Sequence, residues 1–145
     1  MTKMKENFKI IGTFIKDMTS ETPDVPTYIS VREKISKYQM NIDINSKAVK
    51  DGVLEVNTII KFIDKDKDKV EKKSHFEITY TSIVKVDEKV SDKKEMEKII
   101  LCDVPNKIYP DLERVFINLL TDSGYPGIKF EKKINFTELY KQKSN

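Results

Sequence analysis

Between residues 105 and 125 apolar side chains recur at three- and four-residue spacing, at Ile108, Leu112, Val115, Phe116, Leu119 and Leu120. On a 3.6-residue turn these positions share one wide face, which predicts a core helix. Pro110 is expected in its first turn, Asp111 and Glu113 suit the positive helix start, and Ser123-Gly124 before Pro126 is a stop signal. Burying each of those side chains would release about 1.5–3 kcal/mol before chain entropy is subtracted. Tyr109 and Phe116 flank the stripe, making the face wider than one sheet contact needs. Part of it is therefore expected to pack on another subunit.

Elsewhere the period is two. Residues 7–15 read as a first strand with Phe8, Ile10, Gly12 and Phe14 on one face and Ile11 and Ile15 on the other. Apolar residues on both faces of an edge strand predict cover by a neighbouring chain. The next stretch holds Pro23 and Pro26 among Asp, Thr and Ser, and is expected to be an extended loop. From Tyr38 the alternation is strict, with Met40, Ile42 and Ile44 inward. A turn at Lys50-Asp51-Gly52 leads to a third strand with Leu54, Val56, Ile60 and Phe62 inward. After a solvated turn at 64–69, a fourth strand over 71–86 turns Phe76, Ile78, Tyr80 and Val84 in, and His75, Glu77, Thr79 and Thr81 out. These strands describe an antiparallel sheet covered on one side, and the helices must supply the cover. A short helix through Met96, Ile99, Ile100 and Leu101 precedes the long one. A last helix, with Asn135 as N-cap and Glu138 three residues on, presents Phe136, Leu139 and Tyr140.

A chain of 145 residues is most simply one domain spanning 1–145. Its 27 Lys and Arg against 24 Asp and Glu give a formal charge of +3, interleaved along the chain. The basic stripe of a nucleic-acid binder is missing. One cysteine, Cys102, excludes an internal disulfide framework and fits a reducing compartment, with the cytoplasm as default. No stretch reads as a secretory signal or as the ~20 apolar residues of a membrane span, so membrane insertion is not expected.

Chemistry is sparse. Asp64 opens a run that imitates a calcium loop, but the sixth position is Lys69 instead of glycine and the twelfth is His75 instead of glutamate. His75 is the only histidine, which leaves no His-rich metal site and gives Cys102 no announced partner for nucleophilic catalysis. Neither phosphate-cradling glycine motif occurs. No cofactor or enzymatic activity is expected. Two surface features remain: carboxylates Asp17, Glu21 and Glu77, which can meet on the polar sheet face, and apolar Tyr125, Ile128 and Phe130 in the connection before the last helix.

The order of motifs resembles the SecB family of bacterial protein-export chaperones. Phe14-Ile15-Lys16-Asp17 through Ser20-Glu21-Thr22-Pro23-Asp24-Val25-Pro26 matches the family's early strand and Pro-x-x-Pro loop. Pro105-Asn106-Lys107-Ile108-Tyr109-Pro110 with Arg114 matches its helical signature. Gly124-Tyr125-Pro126 and Ile134-Asn135-Phe136 match its helix exit and the start of its last helix. The resemblance implies an α+β fold, a four-stranded antiparallel sheet with helices on one face, assembled as a dimer of dimers. It implies a chaperone that holds unfolded precursor proteins and delivers them to the SecA ATPase without hydrolysing ATP itself.

Carried over by residue, the resemblance implies that the zinc-bearing tail of SecA docks on Asp17, Glu21 and Glu77. His75 stands at what the family has as an apolar contact position. Client segments would lie along Tyr125, Ile128, Phe130, Phe136, Leu139 and Tyr140. The subunit interfaces would use Ile10, Ile11 and Phe14 of the first strand and Leu112, Val115, Phe116 and Leu119 of the long helix. Two departures stand out: the chain ends in KQKSN without the acidic tail common in the family, and the usual negative balance has become positive. A branch of SecB-like chaperones protects an antitoxin instead, and a sheet protein binding a small apolar ligand is a third reading.

Overall fold

A computed structural model describes residues 7–64, 72–130 and 134–143. Four strands, β1 (Phe8–Glu21), β2 (Gln39–Lys50), β3 (Val53–Ile63) and β4 (His75–Val86), form one antiparallel sheet in the order β1-β4-β3-β2. The last three make a meander, and β1 joins it beside β4, so the chain crosses from one sheet edge to the other between β1 and β2. Gly52, at φ 74°, closes the β2–β3 turn, and its carbonyl accepts from the Val86 N–H at 2.8 Å. The expected turn at 64–69 lies mostly outside the described residues.

The crossing corrects the first expectation. β1 continues through Glu21 instead of stopping near residue 15, and the Pro-containing stretch then forms helix α1 (Val25–Lys34). Asp24 caps it: its carboxylate accepts from the Thr27 N–H at 2.8 Å and from the Thr27 hydroxyl at 2.5 Å. Pro26 falls in the first turn, where a missing N–H costs no helical hydrogen bond.

The strand faces follow the alternation in β2, β3 and β4, but β1 differs. Register shifts between Ile10 and Gly12 and between Ile15 and Asp17 insert one extra residue each. Phe8 and Ile10 therefore face the core, whereas Phe14 stands opposite Thr81 on the outer face, not beside them. The second bulge restores the original parity, so Asp17 and Glu21 point outward again.

Helix α2 (Lys93–Lys98), capped by Asp92, runs through a five-residue π-helical stretch, Ile99–Asp103, into α3 (Val104–Asp122). The long helix thus begins earlier than expected. Pro105 occupies its first turn and Pro110 lies in its interior, where the missing N–H leaves the Asn106 carbonyl without its helical donor. Asp111 and Glu113 are correspondingly past the first turn. Helix α4 (Phe136–Lys143) is capped by Asn135, whose side chain accepts from the Glu138 N–H at 3.2 Å.

The inward strand residues Ile60, Phe62, Phe76 and Ile78 meet Val31 of α1, Leu112, Phe116 and Leu120 of α3, and Phe136 of α4. A second cluster joins Phe8, Val56, Val84 and Val86 to Ile99 and Val104. Both lie on one side of the sheet. Leu112 and Phe116 are fully buried within the single chain, which removes them from the expected subunit interface. Val115 and Leu119 keep part of their surface.

Candidate docking face and client groove

Residues directly opposite in an antiparallel pair leave the sheet on the same side. The β1–β4 register pairs Asp17 with Thr79, Thr19 with Glu77 and Glu21 with His75. Asp17, Glu21, His75 and Glu77 therefore share the outer face, at the edge where β1 ends and β4 begins. Asp17 and Glu21 are exposed, and His75 and Glu77 half-buried. Two basic side chains stand near Glu77: its Oε1 is 3.6 Å from His75 Nε2 and 3.8 Å from Lys61 Nζ of β3. These are loose ion-pair distances on an open face, so the carboxylate remains available to a stronger donor.

Further along the same face the polar groups are knitted together. The Thr81 hydroxyl donates to Asn57 Oδ1 at 2.6 Å, and the Asn57 amide donates to Asn45 Oδ1 at 2.8 Å and Glu55 Oε2 at 2.9 Å. Lys16, at the second bulge, reaches Glu55 at 2.7 Å. Hydrogen bonds from Lys16 and then Asn57 hold the Glu55 carboxyl below its ordinary range. The acidic cluster is thus bounded by a structural network and is distinct from it. Along β1, Ile11 is 56%, Phe14 46%, Ile15 44% and Met18 48% exposed, an apolar row on an unpaired edge.

The apolar surface lies on the other side of the sheet. Ile35 and Ser36, just past α1, face Ile128, Lys129 and Phe130 across Tyr38 and Phe62, enclosing an open groove of about 450 Å³. Phe130 stacks on Phe116 with centroids 6.0 Å apart and meets Phe62 edge-on at 5.8 Å. Burial pushes the Tyr38 hydroxyl pKa up, and the hydroxyl donates to the Ser74 carbonyl at 3.4 Å. A second, small depression of about 60 Å³ lies between Ile42, Ile44, Leu101, Phe136, Leu139 and Tyr140. Met40, between the two along β2, accepts from the Tyr109 hydroxyl at Sδ, 3.8 Å away.

The candidate client residues accordingly divide. Ile128 and Phe130 line the first groove, and Phe136, Leu139 and Tyr140 line the second depression. Tyr125 is 2% exposed and packs behind the wall, edge-on to Phe76 at 5.5 Å, so it supports the groove without lining it. Phe136 is fully buried as part of the floor. Ile35 and Ser36 went unrecognised in the sequence because residues 30–37, between the Pro-containing stretch and the strand from Tyr38, showed no pattern of either period. Ile42 and Ile44 were legible only as inward strand positions.

The family model for preprotein translocase subunit SecB matches residues 1–145. The chain belongs to the SecB family. A putative protein-export protein SecB of Pelagibacter ubique is 80% identical over 142 residues, covering 98% of this chain and 100% of the relative. SecB of Methylocella silvestris is 23% identical over 131 residues, covering 90% of this chain and 78% of that protein. The fold is similar to that of a SecB-like chaperone of Mycobacterium tuberculosis solved in complex with a ChAD peptide from an antitoxin. That match has a TM-score of 0.65 at 10% identity and covers 88% of each chain. Among the described residues, no group of three or more His, Cys, Asp or Glu side chains is placed to hold a metal ion, and no helix is long and apolar enough to cross a membrane.

Proposed function

We propose that this chain is a cytoplasmic export chaperone that holds unfolded precursor proteins against its inner-side apolar grooves and passes them to the SecA motor through its outer acidic face. Membership of the SecB family over the whole chain carries the reading. The separation of the two surfaces supports it. Client segments meet Ile128, Phe130 and the β2 side, while Asp17, Glu21 and Glu77 stay accessible on the opposite side of the same sheet. Holding is a binding activity and requires no reacting side chain. Exposed apolar grooves capture any unfolded segment, whereas a folded client hides the same groups, so binding competes with folding.

The working form in this reading is a dimer of dimers. The exposed row on β1 gives the reason: an apolar strand edge in water invites a second chain, and a copy of itself is the partner always at hand. The antitoxin reading draws on the structural neighbour, which shares the fold with only 10% identity. The clustering of Asp17, Glu21 and Glu77 favours export.

The experiment is a holding and transfer assay. An unfolded precursor should remain soluble with this protein and move to membrane-bound SecA when the motor is added. Suppressed aggregation without transfer would leave a chaperone serving another partner.

A further inference from the structure

The groove beside α1 carries a charge that its apolar lining does not account for. Among the described residues, Lys129 is the one charged side chain in its wall, exposed between Ile128 and Phe130. Lys37 follows Ile35-Ser36 on the opposite wall and is exposed. Among the described residues, the Asp64 carboxylate acts on the Tyr38 hydroxyl, and Glu33 is exposed near the end of α1. The Asp64 carboxylate is paired with Lys73 at 3.8 Å and is only 14% exposed. Among the described residues, Lys129 and Lys37 therefore present positive charge to an arriving chain, on a protein whose formal charge is +3.

We propose that this groove selects apolar client segments flanked by acidic residues. The proposal rests on the client-groove reading and adds the class of segment that the groove prefers. An apolar side chain fills the space between Tyr38, Phe62 and Ile128, and neighbouring backbone passes over the rim near Lys129. There an aspartate or glutamate gains an ion pair, and a lysine meets a like charge. Such rim pairs are solvent-exposed. Each acidic flank tightens binding by about two- to fivefold at low ionic strength, and salt removes most of the gain.

Three synthetic peptides with one shared aromatic-aliphatic core and flanks of Glu, Gln or Lys provide the test, titrated by fluorescence anisotropy at low and high salt. The Glu-flanked peptide binds tightest and the Lys-flanked one weakest, with the gap closing as salt rises. Lys129→Glu reverses that order. Lys47→Glu, the same change of net charge on an exposed part of β2 outside the groove, keeps the wild-type order. Equal affinities, a preference for the Lys-flanked peptide, or an order that Lys129→Glu does not alter would overturn the proposal while leaving the groove in place. Failure of all three peptides to bind would overturn the groove reading and this proposal with it.

Discussion

Glu21, the last residue of β1, is paired directly with His75, the first residue of β4, so the two side chains leave the sheet together on its outer face. His75 also sits 3.6 Å from Glu77, placing an imidazole in the middle of the acidic cluster. In the family resemblance this position is an apolar contact. His75→Leu should therefore strengthen SecA-tail binding by about threefold to tenfold, the return on a modest added apolar contact. Calorimetric titration checks this, and an unchanged melting temperature would show that the effect is local.

The edge of β1 and the middle of α3 should respond oppositely to substitution. Phe14→Asp places a charge on a residue that is 46% exposed in the single chain, so each chain should stay folded while the assembly dissociates. Light scattering would show the mass falling to half or less. Leu112→Ala empties a fully buried site and should cost about 2–5 kcal/mol in unfolding free energy.

Gly124 ends α3 at φ 101°, and a Cβ there would lie 2.7 Å from the Tyr28 ring. The same tyrosine donates its hydroxyl to the Gly124 carbonyl at 2.7 Å and packs on Tyr125 at 5.2 Å. Gly124→Ala combines backbone strain with a collision and should destabilise by about 1–3 kcal/mol, measured by denaturant unfolding. Because Tyr125 backs the groove wall, client affinity should fall as well.

Acid should loosen α1. Hydrogen bonds from the Thr27 hydroxyl and N–H, then Lys72, lower the Asp24 pKa from 3.8 to about 2. A depressed carboxylate stabilises the fold above its unfolded value, and that contribution is lost as pH falls from about 4 to about 2. Asp24→Asn retains the cap and should flatten this part of the pH profile, whereas Asp24→Ala should lower the melting temperature at neutral pH too. Thermal melts over that pH range provide the comparison.

Strict alternation made Leu54, Val56, Ile60 and Phe62 readable as inward, because β3 is central, unbroken and covered on one side. The same rule misplaced Phe14, since a bulge depends on pairing with β4 and leaves no signal in β1 itself. Two prolines concealed α1, although Asp24 with Thr27 three residues later is capping chemistry that could have revealed it. Pro110 was read as a helix start because an interior proline is costly, and the true start at Val104 grows out of a preceding helix instead of a cap. The acidic face was legible although Asp17 and Glu21 were read as outward loop carboxylates, because the two bulges of β1 leave both on the outer face beside Glu77. The groove was only half legible, because its other wall comes from α1's end, distant in sequence from Ile128.

The export reading depends on whether the outer acidic face receives the motor. The deciding measurement is a titration of the protein with the tail of its own SecA, run beside Glu77→Lys. Glu77 is half-buried on an open face with only loose partners, so the variant should stay folded. Binding to the wild type that Glu77→Lys weakens at least tenfold is the predicted result. Equal binding by both proteins would contradict the acidic face as the docking site, and no binding by either would contradict delivery to SecA.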